Sequence, residues 1–197
     1  HAERTMFYQT WGYLDGDTHV GPASWEAARL AAGAGLSVTE ALDAGLGEVG
    51  FCAVRPPGHH ATPTRAMGFC LLNNVAVAAR ALTARGERVA VVDYDAHHGN
   101  GTQDVFWSDP DVFYVSLHQF PMYPGTGRLD EVGEGAGRGT TLNLPFPAHA
   151  TGDGYRRAID EVLVPALAAW GVTWLLISAG FDGHPRDPIT ELGLTAG

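Results

Sequence analysis

The stretch VVDYDAHHGNGTQDVFW, residues 91–107, joins a predicted buried strand to a cluster of ionisable side chains. It continues the apolar, β-branched run 88–95, a pattern typical of a strand that is buried on both faces. Four ionisable residues follow one another within six positions: Asp93, Asp95, His97 and His98. Solvation accounts for one such residue at the end of a strand, but four indicate a metal site or a proton relay.

The sequence around this stretch predicts an α/β fold with a central parallel sheet. Strands are predicted at 51–54, 88–95, 111–118 and 173–180, the last of them central, and helices at 24–46, 68–86 and 153–171. Strands that alternate with helices form parallel sheets with right-handed crossovers. Sites in such sheets lie beyond the carboxyl ends of the strands, so we expect the polar clusters that follow these strands to share one edge.

Composition narrows the class of protein. The chain has 197 residues, 45% of them hydrophobic, which is enough for one α/β domain with a core. Its net charge of −10 argues against direct nucleic-acid binding and suits a cationic ligand. No apolar run reaches membrane-spanning length and no signal peptide is visible, so we expect no membrane association and a cytoplasmic location. Cys52 and Cys70 lie in apolar sequence and are predicted to be core residues.

Asp95 and His97 are candidate metal ligands because residues i and i+2 at a strand end point to the same side. A carboxylate and an imidazole so close suit zinc, and Asp182 in SAGFDGHPRDP is a plausible third ligand. The simpler interpretation is a hydrogen-bonded Asp and His at a turn.

A second candidate cluster is RPPGHHA, in which two prolines and a glycine present His59 and His60 on a rigid turn. The pair suits proton transfer near neutral pH, or else is a surface metal scavenger. GNGTQDVFW lacks the lysine and the spacing of a phosphate loop, and His118 is interpreted as structural. No serine or cysteine lies in a nucleophile elbow, so an activated water is the favoured nucleophile.

Five motifs, RPPGHHA, MGFCLLNN, DYDAHHGNGTQ, MYPGTG and SAGFDGHPRDP, occur in the order seen in histone deacetylases. From about Asp15 onward the chain resembles the class II-like bacterial branch, with its acetylpolyamine and acetoin-utilisation relatives. The resemblance implies a three-layer arginase/deacetylase-like fold. It also implies a zinc-dependent hydrolase that removes an acetyl or other acyl group from the amine of acetyl-lysine.

The resemblance assigns roles residue by residue. It implies zinc ligands at Asp95, His97 and Asp182. It implies a histidine dyad at His59 and His60, oriented by Asp93 and Asn100 respectively. It implies an acyl-lysine tunnel lined by Gly68, Phe69 and Tyr123. It implies potassium beside the zinc, bound partly through backbone oxygens of Asp93, Asp95, His97, Ser116 and Leu117. It implies a second potassium site at Phe106, Asp109 and Val112.

The two histidines of the dyad are expected to divide the proton transfers. His59 beside Asp93 would favour the charged ring, because an opposite charge stabilises imidazolium. His60 beside neutral Asn100 would stay neutral more readily, so we expect His60 to act as general base and later to return the proton to the leaving amine.

The implied substrates and activity leave alternatives open. An acetylated polyamine suits the acidic chain as well as acetyl-lysine in a protein does. A manganese ureohydrolase is disfavoured, because Gly99 stands where such enzymes have an aspartate ligand. A non-catalytic acyl-lysine-binding protein is the third alternative.

One departure from the family pattern favours that third alternative. The resemblance implies an oxyanion-binding tyrosine or histidine in a glycine-rich loop after Asp182, yet every tyrosine precedes Asp182. Loss of such a donor costs about 10² to 10³ in rate. We therefore expect residues 1–197 to be one catalytic domain, as a fragment lacking N-terminal and C-terminal portions. Oligomeric state stays open.

Overall fold

The computed structural model describes residues 11–195 and divides them into two compact units, with the division between Ala81 and Leu82. The elements that begin in the first unit are β1 (Gly12–Tyr13), β2 (His19–Val20), α1 (Ser24–Asp43) and α2 (Asn74–Thr83). β1 and β2 are antiparallel. Buried Val20, Ala28 and Leu71 form a small core in this unit. That the chain is a single catalytic domain stays a prediction.

The second unit contains a four-stranded sheet and the helices that follow its strands. Its elements are β3 (Val89–Asp93), α3 (Asn100–Phe106), β4 (Val112–Gln119), a 3₁₀ turn (Gly135–Gly137), β5 (Thr141–Phe146), α4 (Gly152–Ala158), a π-helical turn (Ile159–Leu163), α5 (Val164–Trp170) and β6 (Trp174–Ser178). The strand order is β5–β4–β3–β6 and every pairing is parallel. The predicted α/β class and parallel sheet are confirmed.

One hydrophobic cluster of the second unit lies on one face of this sheet. Alternate residues of the two central strands, among them Val92 and Val115, pack with Tyr155 and Leu163 from the helical segment after β5. All residues of β3 and β4 are buried, as their apolar, β-branched sequences predict. Among the described residues, no helix combines the length and apolarity needed to cross a bilayer.

Three sequence predictions about the elements were wrong. Residues 51–54 form no strand, and Phe51 is 75% exposed, because the apolar run is only four residues long and prolines follow it closely. The second predicted helix begins at Asn74 instead of 68, because Gly68 and Phe69 both have positive φ, at 55° and 64°. β6 is an edge strand instead of a central one within the described sheet, and its Leu175 and Ile177 are half-exposed.

One strand of the four-stranded sheet, β5, was not predicted. Its sequence TLNLPF contains an asparagine and a proline, which are uncommon in strands. Pro145 is accommodated because β5 lies at the other edge of the described sheet, where one side of the strand needs no hydrogen-bond donor.

Two glycines of α1 make a matched stability test. Nothing lies within 4 Å of a Cβ placed at Gly33, whereas a Cβ at Gly35 would lie 3.0 Å from the Ala78 Cβ. We expect Gly33→Ala to raise the free energy of unfolding by about 0.5–1 kcal/mol, because alanine loses less backbone entropy in a helix. Gly35→Ala should lose that gain to crowding against Ala78. Urea unfolding of both variants measures this, and a destabilised Gly33→Ala would contradict it.

Candidate metal centre

Three side chains of the second unit converge on one point. The ligand atoms of Asp95, His97 and Asp182 lie within 4.8 Å of one another. His97 Nδ1 is 2.7 Å from Asp182 Oδ2 and 3.1 Å from Asp95 Oδ1, and all three side chains are mostly buried. The structure therefore brings together the three residues that the sequence predicts as metal ligands.

The parallel pairing of β3 and β6 explains this convergence. Asp93 and Ser178, the last residues of the two strands, are paired in register. Beyond them, the Tyr94 N–H donates to the Ser178 carbonyl (3.2 Å), and the Ala96 N–H donates to Asp182 Oδ1 (3.0 Å). The segments that leave the two strands thus stay together and carry one carboxylate each to the same edge of the sheet.

Backbone groups fix the orientation of Asp95. Its Oδ1 accepts the His97 N–H (2.8 Å), while Asp93 Oδ1 accepts the Asp95 N–H (3.2 Å). Gly180 leaves room for the Asp95 carboxylate, because a Cβ at Gly180 would overlap Asp95 Oδ2. Any larger residue at position 180 would displace this candidate ligand.

The two carboxylates, Asp95 and Asp182, dominate the electrostatics of the centre. Burial opposes a charge on His97, but its hydrogen bonds to Asp182 and Asp95 raise the pKa of the ring to about 9. Nearby, burial raises the pKa of Tyr155, and the charges of Asp182 and Asp95 raise it further. The two carboxylates therefore attract a cation, and in the metal-free protein that cation is the His97 imidazolium.

This donor set fits a divalent metal. Two carboxylates and one imidazole are ligands that zinc accepts, and a three-ligand protein site leaves positions open for water and substrate. His97 Nδ1 faces both carboxylates at short distance. A metal ion that binds between the three groups would replace the proton on His97 Nδ1.

Tyr123 lies beside this centre. Its ring meets the His97 ring edge-on, with centroids 6.2 Å apart and an interplanar angle of 74°. Tyr123 is 40% exposed, so part of its side chain is accessible to solvent. Its predicted role as a tunnel residue stays a prediction.

The predicted dyad lies in the first unit. His59 and His60 are both buried, with ring centroids 4.0 Å apart, which excludes an exposed metal scavenger. Gly68 packs directly on His60, since a Cβ there would overlap the imidazole. Phe69 is half-exposed with its left-handed backbone, and its N–H donates to the buried Thr18 hydroxyl (3.1 Å). Orientation of the dyad by Asp93 and Asn100, both buried, stays a prediction.

The residues predicted to bind potassium fall into two groups in the second unit. Asp93, the last residue of β3, is paired in register with Ser116, an interior residue of β4 next to Leu117. In the second group, the Phe106 carbonyl accepts the Asp109 N–H (3.0 Å), the Asp109 carbonyl accepts the Thr140 hydroxyl (3.0 Å), and Val112 begins β4. Potassium at either place stays a prediction.

Sequence reasoning left His98 unassigned and missed its partners. The His98 side chain is fully buried and contacts Thr126 and Gln103, and Gln103 in turn contacts Glu131. The adjacent pair of histidines after β3 was the only signal for this network. His118, interpreted as structural, is buried with both ring nitrogens hydrogen-bonded.

Comparisons with known proteins agree with one another. A sequence profile of the histone deacetylase domain matches residues 1–197. The chain is 46% identical to "Histone deacetylase 10, chloroplastic" of Oryza sativa subsp. japonica, over 92% of this chain and 43% of that protein. It is 44% identical to a "Probable deacetylase" of Archaeoglobus fulgidus, over 94% of this chain and 52% of that protein. The chain spans about half the length of these curated relatives.

Solved structures show the same fold. The HDA15 HD domain superposes with a TM-score of 0.95 at 40% identity, covering 99% of this chain and 59% of that one. An acetylpolyamine aminohydrolase from Burkholderia pseudomallei superposes with a TM-score of 0.86 at 40% identity, covering 92% of this chain and 53% of that one. The predicted arginase/deacetylase-like fold is confirmed.

Metal affinity should depend on pH through His97. Below pH about 9 the ring carries a proton that a metal must displace, because only the neutral ring is a ligand. We expect zinc affinity to rise about tenfold per pH unit between pH 6.5 and 8.5, for one released proton, and to level off near pH 9. Competitive zinc titration measures this, with His149→Asn as a control distant in sequence. Affinity that does not change over this range would contradict the prediction.

Proposed function

The chain belongs to the histone deacetylase domain family, and from that membership we propose that the whole protein is a zinc-dependent amidohydrolase that deacetylates an amine nitrogen. The observation that carries the proposal is the convergence of His97 with Asp95 and Asp182. Zinc bound there would supply Lewis acidity toward the amide carbonyl and would lower the pKa of a bound water.

The buried histidine pair supplies the proton transfers. Two imidazolium rings with centroids 4.0 Å apart would repel each other at a buried position, so the pair favours at most one charge. One ring then stays neutral and can take a proton from the attacking water, while the amine needs a proton to leave. We assign the first role to His60 and the charged ring to His59.

Acetyl-lysine is the proposed substrate, and its aliphatic stem requires an apolar path to the metal. The family resemblance proposes Gly68, Phe69 and Tyr123 for that path; Phe69 is half-exposed, and Tyr123 lies beside His97. Aromatic faces suit a methylene chain because they bury apolar area without offering competing hydrogen bonds.

An acetylated polyamine is the second candidate substrate. One observation favours it: the similarity to the Burkholderia pseudomallei acetylpolyamine aminohydrolase. The ratio of kcat/KM for an acetyl-lysine peptide to that for N-acetylspermidine, measured on the zinc-loaded whole protein, decides between them. Stoichiometric zinc without turnover of either substrate would instead support a non-catalytic acyl-lysine-binding protein.

Replacing His60 tests the assignment of the general base. We expect His60→Ala to lower kcat about 10²- to 10⁴-fold, because general-base catalysis contributes rate on that scale. The matched control is His19→Ala, which removes an exposed histidine of the same unit and should keep its activity. The pH–rate profiles of His59→Ala and His60→Ala distinguish the roles of the two histidines. A fully active His60→Ala enzyme would overturn the assignment of His60 as general base.

A further inference from the structure

The segment that carries Tyr123 is hydrogen-bonded to buried polar side chains. We define the Tyr123 loop as residues 122–131. It opens with a turn in which the Gly125 N–H donates to the Met122 carbonyl (2.8 Å). The loop then closes on its own last residue, since the Glu131 carboxylate accepts N–H groups from Gly127 (3.1 Å) and Arg128 (3.0 Å).

Hydrogen bonds outside the backbone complete this closure. The Gln103 amide donates to Glu131 Oε2 (2.6 Å), which turns Gln103 Oε1 toward His98 Nε2 (3.1 Å). His98 Nε2 therefore carries the hydrogen, and in the neutral ring Nδ1 accepts from the Thr126 hydroxyl (2.8 Å). We call Thr126, His98, Gln103 and Glu131 the His98 network. It starts and ends on the Tyr123 loop.

Close packing at Gly127 reinforces the network. Gly127 has φ of +91°, and a Cβ there would lie 2.6 Å from His98 Cγ and would also overlap the His118 ring. The Gly127 carbonyl accepts from His118 Nε2 (2.9 Å), and His118 Nδ1 accepts from Ser116 (2.9 Å). Only glycine lets the loop come this close to the two buried imidazoles.

A peptide bond joins the His98 network to the candidate metal centre. His97 and His98 are consecutive; His97 faces Asp95, Asp182 and the Tyr123 ring, while His98 holds Thr126. The dipeptide thus contacts the Tyr123 loop at two residues, Tyr123 and Thr126. Because only two residues separate Tyr123 from Thr126 in the chain, the contact of Thr126 with His98 limits where the Tyr123 ring can lie.

We propose that His98 is a positioning residue that, through Thr126 and Glu131, fixes Tyr123 beside the candidate metal centre and thereby sets how tightly the aliphatic stem of acetyl-lysine is bound. The inference rests on the proposed function for its substrate, whereas the hydrogen-bond network stands on the structure alone. A positioning role predicts weaker substrate binding with little change in the chemical step.

Thr126 offers the sharpest test, because it is exposed and its replacement leaves the buried histidines in place. Thr126→Val removes the hydroxyl and keeps the shape, whereas Thr126→Ser keeps the hydroxyl. We expect Thr126→Val to raise KM for an acetyl-lysine reporter peptide about 2- to 10-fold with kcat nearly constant, as the loss of one hydrogen bond implies. Amide hydrogen exchange at Gly127 and Arg128 should accelerate by a similar factor, also without zinc. Thr126→Ser should restore both quantities.

The two readouts separate failure of this inference from failure of the proposed function. If Thr126→Val and Thr126→Ser exchange equally fast and share one KM, the positioning role is overturned. Faster exchange in Thr126→Val with an unchanged KM also overturns it. If the wild-type protein turns over no reporter while only Thr126→Val exchanges faster, the network stands and the proposed deacetylation fails.

Discussion

The short contacts of His97 with Asp95 and Asp182 are the interaction on which the rest of the site depends. Two carboxylates at a mostly buried position repel each other, and a cation between them relieves that repulsion. The His97 imidazolium is that cation when no metal is bound, which is why the pKa of the ring lies at about 9. A divalent ion brings more charge to the same carboxylates and frees His97 as a neutral ligand. The same geometry thus suits both a protonated His97 and a bound metal ion.

The parallel sheet places the candidate metal ligands and the Tyr123 loop at one edge. The ends of β3 and β6 deliver the candidate ligands, and the chain that leaves β4 becomes the Tyr123 loop. Two consecutive histidines follow β3. His97 belongs to the candidate metal centre, and His98 contacts Thr126 of the Tyr123 loop. Glycines at 127 and 180 permit these approaches, since a side chain at position 127 would overlap His98 and one at position 180 would overlap Asp95. In the first unit, Gly68 permits the same close packing against His60.

Prediction from sequence succeeded where the signal was local. β3 and β4 were recognisable as continuous apolar runs, and Asp95 and His97 share a side because they are two residues apart. β5 was missed because TLNLPF lacks the composition of a strand, and residues 51–54 were misassigned because four apolar residues are too short a run. The role of His98 was not predictable, since Thr126 lies 28 residues away and no periodicity links the two.

X-ray absorption at the zinc edge of the zinc-loaded protein tests the central claim, that Asp95, His97 and Asp182 form the metal centre. We predict one zinc per chain with nitrogen and oxygen ligands and no sulfur. Asp182→Asn should lose most of the zinc, because an amide is a far weaker ligand than a carboxylate. Asp153→Asn, which changes an exposed carboxylate, should keep it. Sulfur ligation, or full zinc retention in Asp182→Asn, would contradict the account.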